Sequence, residues 1–142
     1  MRITIGVVLV AVGGFLYAGQ IVSVVNLGLA QRLGLQERPD RVDPLFTSLE
    51  VWTARWDLLT LIGLPVAGVL MLLDHSWWPY MAMIGGGLAA DTGGREIVKY
   101  LGLSQHGVRI GTPAGRRVLF GGMTVLSLVG VLAAIVGLVE VV

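Results

Sequence analysis

The chain contains no cysteine. That excludes a disulfide framework, a thiolate-ligated zinc and thiol redox chemistry. Charge is also scarce: Asp, Glu, Lys and Arg make up 13% of the 142 residues, where a soluble domain carries about 25%. The only histidines, His75 and His106, lie in different connecting segments with a long apolar run between them, which excludes a paired-histidine ligand set. Patterns of the HExxH, DxDxDG and GxxxxGK(S/T) kinds do not occur, so the chain carries no metalloprotease helix, EF-hand or phosphate loop. Neither a metal nor a cofactor is expected.

Apolar residues dominate instead, at 55% with a mean hydropathy of +0.82. The 10 basic and 9 acidic residues leave a formal charge of +1, and they cluster between apolar runs as in membrane proteins. Four runs are long enough to cross a bilayer core of about 30 Å. They cover about residues 3–25, 56–74, 78–100 and 118–139. The first is longer than the apolar core of a signal peptide and passes into the segment NLGLAQRLGL, so it is read as a span. The second is the shortest and uses Trp56 and Asp57 to complete its length.

The expected fold class is therefore an all-α membrane protein. It is a four-transmembrane-helix bundle forming one domain over residues 1–142, with an interfacial amphipathic helix leading into the second span. That lead-in starts at Asp43, a helix cap, and Pro44, which suits a first turn. Its Leu45, Leu49, Trp52 and Trp56 recur at three- and four-residue spacing on one face. Aromatic side chains favour the water–hydrocarbon boundary. Trp52, Trp56 and Tyr100 are assigned to one boundary, and Trp77, Trp78 and Tyr80 to the other.

Orientation follows from the basic residues, which are retained on the cytoplasmic side. Arg32, Arg38, Arg41, Arg55, Arg95, Lys99, Arg109, Arg116 and Arg117 share one face, and Arg2 alone lies on the other. Both termini are expected outside and both longer loops in the cytoplasm, in the plasma membrane; an Arg-rich, Lys-poor composition points to a bacterial inner membrane.

Lipid supplies no hydrophobic drive between helices, so close approach of small residues has to hold them together. Glycine accounts for 21 of the 142 residues, about twice the usual share of roughly 7%. Gly86, Ala90 and Gly94 form a packing row in span three, with Gly85, Ala89 and Gly93 beside it. Gly14 with Ala18, Gly63 with Ala67 and Gly130 with Ala134 repeat the spacing elsewhere. Pro65 leaves the carbonyl of Leu61 without its donor and is expected to kink span two.

Asp91 stands about 3 Å past the middle of span three, where an unpaired acid costs about 2.5 to 3.5 kcal/mol. Arg95, four residues on, is its expected partner. Asp57, Gln20, Thr60 and Thr92 lie at similar depth, which makes Asp91, Arg95, Asp57, Gln20 and Thr60 the candidate intramembrane polar site. In the outer half, the stretches Ile5–Gly14, Val66–Leu73, Met81–Leu88 and Leu128–Val139 contain no polar side chain, which disfavours a pathway open to both faces. By size and span number the chain resembles the small multidrug-resistance transporters, whose site depends on a membrane-embedded glutamate in span one. Span one has no acidic residue here, and the resemblance does not extend to that site.

No nucleophile motif accompanies Ser23 or Ser127, so catalytic residues are not assigned. The string GTPAGRR reads as a basic anchor on anionic headgroups. The expected role is a non-enzymatic packing or accessory protein. A small-solute or proton transporter using Asp91 and Arg95, and a lipid-headgroup enzyme at the cytoplasmic face, are the alternatives. The expected partners are membrane lipids together with a second copy of the chain or another membrane protein, and no nucleic acid.

Overall fold

A computed structural model describes residues 2–142, which are 83% helical with no strand among them. In chain order the helices are α1 (Arg2–Val25), the short α2 (Leu27–Arg32), α3 (Pro44–Thr60), α4 (Gly63–Leu72), α5 (Trp78–Gln105) and α6 (Pro113–Val141). A single 3-10 turn, Pro39–Arg41, precedes α3. Three stretches are long and apolar enough to cross a membrane: α1, α3 joined to α4 as Pro44–Leu72, and α6. The fourth long helix, α5, is diluted by glycine and by Asp91, Arg95, Glu96 and Lys99.

Local chemistry accounts for the breaks. Asn26 ends α1 by leaving the helical backbone conformation, and its side-chain oxygen accepts from the Leu29 N–H at 2.9 Å to cap α2. The chain does not run smoothly from the first apolar run into NLGLAQRLGL. Pro65 has the expected effect one turn upstream. With no proline N–H to receive, the Leu61 carbonyl accepts from Leu64 at 3.3 Å, and the helix is interrupted between Thr60 and Gly63. Pro44, Pro79 and Pro113 each occupy a helix first turn, where the missing donor costs nothing.

Helix α5 packs along α6, while α4 lies against both α1 and α5 and α3 rests on α1 and α5. Glycine sets these approaches. A Cβ on Gly86 would stand 2.5 Å from the Gly130 carbonyl, one on Gly63 would stand 2.9 Å from Gly85 Cα, and one on Gly68 would stand 2.8 Å from the Gly6 carbonyl. The contacting rows run at seven residues, Gly6 with Gly13, Gly86 with Gly93 and Gly130 with Gly137. At about 100° per residue, four-residue steps drift by about 80° over two steps, whereas seven residues return to within about 20° of the start. Gly86 and Ala90 accordingly meet α6, but Gly94 has rotated into open space, as has Gly14 in α1. The expected Gly86, Ala90 and Gly94 row is thus corrected at its third member, where Gly93 does the packing.

Both ends of the molecule are tied. At one end the Arg2 guanidinium donates to Asp74 at 3.0 Å and to Glu140 at 2.7 Å, and stands 5.3 Å from the Trp78 ring. The start of α1, the α4–α5 turn and the end of α6 therefore share that end. At the other end the connectors meet in a Val42 and Ile110 bridge. There the Asp43 carboxylate accepts from the Arg109 backbone N–H at 2.6 Å instead of capping α3. Beneath the bridge, Val42, Phe46, Tyr100 and Ile110 form a small apolar cluster, separate from the main core of Leu9, Leu61, Leu64, Ala67 and Leu126. Trp78 and Tyr100, both assigned to boundary belts, are buried, whereas Trp52, Trp56, Trp77 and Tyr80 are exposed. These two rings pack against neighbouring helices instead of facing outward.

Replacing Gly86 by Leu should lower stability by about 1–3 kcal/mol or more, because the added atoms must displace α6 backbone. Leu at Gly94 should change stability by no more than about 0.5 kcal/mol. Thermal unfolding of the two variants in detergent tests this, and equal effects would contradict the seven-residue packing.

Candidate functional site

Helix α3 is apolar on its outside. Trp52, Trp56 and Leu45 are 64%, 56% and 61% exposed, whereas Glu50 and Asp57 are buried at 9% and 2%. The buried positions Phe46, Glu50, Ala54 and Asp57 follow four-, four- and three-residue steps, the stripe that a helix turns toward its neighbours. The expected lead-in helix exists, but its Leu45, Trp52 and Trp56 face points away from the protein and its charged stripe points in.

Helix α5 supplies the matching charges. Arg95 donates to Asp57 at 2.6 Å, and Lys99 holds Glu50 at 2.6 Å and Glu96 at 2.5 Å. The Tyr100 hydroxyl donates to the second Glu50 oxygen at 3.2 Å, and Lys99 lies 3.4 Å from the Thr53 hydroxyl. Three carboxylates thus face two cations across the α3–α5 seam. Not all of their capacity is used. The Glu96 Oε1, Arg95 Nε and Thr60 Oγ1 atoms are buried with no hydrogen-bond partner, and Arg95 Nε reaches no closer than 3.8 Å to Glu96 Oε1.

Beside this seam is a cavity of 130 Å³ among α1, α3, α5 and α6. Its polar wall includes Gln20, Ser23, Glu50, Thr53, Asp57 and Glu96. Space of that size fits roughly four waters at about 30 Å³ each. Toward α4 the main core closes it off with Leu61, Leu64 and Ala67, so the polar region is one-sided.

Of the expected site residues, Asp57 and Arg95 come together directly, and Gln20 lines the adjoining cavity. Thr60 is buried nearby with its hydroxyl unpartnered. Asp91 stands apart. It is exposed and has no ion pair within 4.0 Å among the described residues. The expected Asp91 and Arg95 pair is corrected: Asp57 lies across the interface and is almost fully buried, so the guanidinium satisfies the carboxylate that has no other access to a counter-charge. Glu50, Glu96 and Tyr100 were not among the expected residues. Reading α3 as a helix whose polar residues turn toward its neighbours places Glu50 and Asp57 on one stripe, which meets Lys99 and Arg95.

The connectors joined by the Val42 and Ile110 bridge have a second polar arrangement. Glu37 accepts from the Thr112 backbone N–H at 3.3 Å and from its hydroxyl at 3.4 Å at the start of α6. Gly111, at φ 99°, and Gly115 leave room for that carboxylate, since a Cβ at either would collide with it. The glycines of GTPAGRR therefore cradle Glu37, an acid held at a helix N-terminus where the dipole favours it.

The hydroxyls of Ser23 and Ser127 bond to the Gly19 and Ala90 carbonyls. Neither is paired with a base.

Replacing Arg95 by Gln should lower stability by about 3–5 kcal/mol, since it leaves the buried Asp57 without its partner, and Asp57→Asn should cost less, because Arg95 is 30% exposed and keeps Glu96 at 3.8 Å. The double variant should lose less than the sum, and Asp91→Asn should be nearly neutral. Unfolding free energies in a double-mutant cycle measure the coupling; additive losses would mean the two groups do not interact.

No family model, curated protein or solved structure matches the chain.

Proposed function

We propose that the chain is an integral protein of the plasma membrane that crosses it four times as a single domain, with both termini outside and both longer loops in the cytoplasm. Its role on this reading is non-enzymatic: an accessory or binding protein with a charged chamber in its inner half. The observation that carries the reading is the inside-out polarity of α3, whose tryptophans face outward while Glu50 and Asp57 meet Lys99 and Arg95 within. Outward apolar and inward ionic faces suit a helix surrounded by lipid, where charged groups turn to the bundle interior and pair. The shared location of Arg2, Asp74 and Glu140 supports an even number of crossings. The distribution of basic residues supports the orientation.

The chamber favours binding over through-transport because apolar packing closes its outer side. One observation favours transport as a second reading: the helix interruption at Leu61 and Ile62 lies beside the ion network, and broken helices accompany midplane sites in transporters. On that reading Asp57 and Arg95, instead of Asp91 and Arg95, would be the coupled pair. The headgroup-enzyme alternative gains no support, because both candidate serines are committed to backbone carbonyls.

Reporter fusions after Asp40 and after Gly111 should both read as cytoplasmic, and one at the C-terminus as external. A cytoplasmic C-terminus would overturn the four crossings or their direction. In sealed liposomes the wild type should show no proton flux; a flux above that of protein-free vesicles would move the assignment to transport.

A further inference from the structure

We propose that the vestibule formed by α2, the connector before α3 and the start of α6 binds the phosphate of an anionic phospholipid. The inference rests on the membrane placement proposed above. It is carried by where the unpaired arginines stand and by what else lines the space between them.

Half of the ten basic residues are engaged elsewhere. Arg2, Arg95, Lys99 and Arg109 each have a carboxylate within 4.0 Å, and Arg55 stands 4.6 Å from the Trp52 ring. Of the other five, Arg32, Arg38, Arg41 and Arg116 line a single vestibule of 610 Å³. None of these four has a carboxylate within 4.0 Å among the described residues. They come from three segments: the end of α2, the residues at and just before the 3-10 turn, and the first turn of α6. Only the fold brings them to one place.

Hydrogen bonds hold those segments together. The Gln31 side-chain amide donates to the Glu37 carbonyl at 3.2 Å, and the Glu37 carboxylate accepts from the Thr112 N–H at 3.3 Å. The connector that carries Arg38 and Arg41 is thereby tied both to α2 and to the start of α6. Two acids, Glu37 and Glu50, also line the vestibule. Glu37 is engaged by Thr112, and Glu50 by Lys99 and Tyr100, so neither neutralises the four guanidinium groups. Like charges gathered around one space create a positive potential that attracts an anion. The forked donors of arginine match the oxygens of a phosphate.

The rest of the lining selects among phosphates. Leu35, Leu119 and Met123 give the vestibule an apolar wall, and Gly122 widens it, since a Cβ there would meet nothing within 4 Å. Helix α1 makes little contact with α6, which leaves the space beside that wall unfilled. A free phosphate would use the arginines and leave the wall bare. A phospholipid sets its phosphate on the arginines and lays its glycerol and first methylenes on the wall, where apolar burial adds to affinity. The cationic group of a choline or ethanolamine lipid would stand among four guanidinium groups, so a lipid of net negative charge is favoured. Basic pockets between spans on the cytoplasmic side take such headgroups, and 610 Å³ lies within the range of about 300–1,000 Å³ typical of ligand pockets.

The full chain in detergent is titrated with dioleoyl-phosphatidylglycerol, -phosphatidylcholine and -phosphatidylethanolamine, with bound lipid counted by native mass spectrometry. Phosphatidylglycerol should bind at least tenfold more tightly than the other two. Arg116→Gln, and separately Arg38→Gln combined with Arg41→Gln, should each weaken it several-fold. Arg117→Gln removes the same charge from the next position, which does not line the vestibule, and should leave the affinity unchanged. The two weakening variants lie on different segments, so a folding failure of one leaves the other to decide. Equal wild-type affinity for the three lipids, no lipid binding, or an equal loss in Arg117→Gln and Arg116→Gln overturns the proposal. Displacement of phosphatidylglycerol by an equal concentration of soluble glycerol phosphate overturns the lipid as occupant, and failure of glycerol phosphate to compete supports it. Alkaline extraction tests the reading beneath: release from membranes overturns the membrane placement, whereas retention without preference for phosphatidylglycerol overturns this inference alone.

Discussion

The seam between α3 and α5 is held by charge in otherwise apolar surroundings, and the rest of the arrangement depends on it. Asp57 is almost entirely buried and has Arg95 as its counter-charge at 2.6 Å. Removing water from a carboxylate is costly, and only close ion pairs with further hydrogen bonds offset that loss. Asp57 therefore fixes the rotation of α3: turned by half a revolution, it would bring Trp52 and Trp56 inward and leave Arg95 facing apolar side chains. Lys99 acts the same way about one helical turn further along, joining Glu50 on α3 to Glu96 on its own helix.

Packing and charge divide the length of the bundle between them. In one half, Gly6, Gly63, Gly68, Gly85, Gly86 and Gly130 bring backbones to near contact around Leu64, Ala67, Ala82 and Ala89. Dispersion between closely fitting surfaces suffices there, because no polar side chain has to be satisfied. In the other half the helices stand around a cavity; Gly93 still meets α6 there, and ion pairs join α3 to α5. Pro65 lies near the junction. The interruption it causes lets α4 follow the glycine contacts with α1 and α5, while α3 follows the ionic ones.

Much of this can be read along the chain. The positions of the long apolar helices follow from hydropathy over windows of about twenty residues, and the break before Pro65 follows from a missing N–H. The small residues of span three were visible as two rows. Their choice of partner was not, because four- and seven-residue spacings coexist in the same glycine-rich stretch and differ only in how they drift around a helix. Gly93 and Gly94 are adjacent in sequence, yet one meets Ser127 and the other meets nothing.

Composition and periodicity by themselves determined that the chain is helical and apolar and has its acids and bases grouped near one end, since these are properties of segments. They also brought Asp57, Arg95 and Gln20 forward as members of one polar region. Which acid Arg95 meets was decided only by assembly. Asp91 lies four residues away on the same helix and Asp57 lies 38 positions away in sequence, but burial makes the distant carboxylate the one that needs the cation. The same holds for Glu50 and Glu96. Glu50 meets Lys99 and Tyr100 only when α3 and α5 have been placed side by side, and Glu96 shares that lysine.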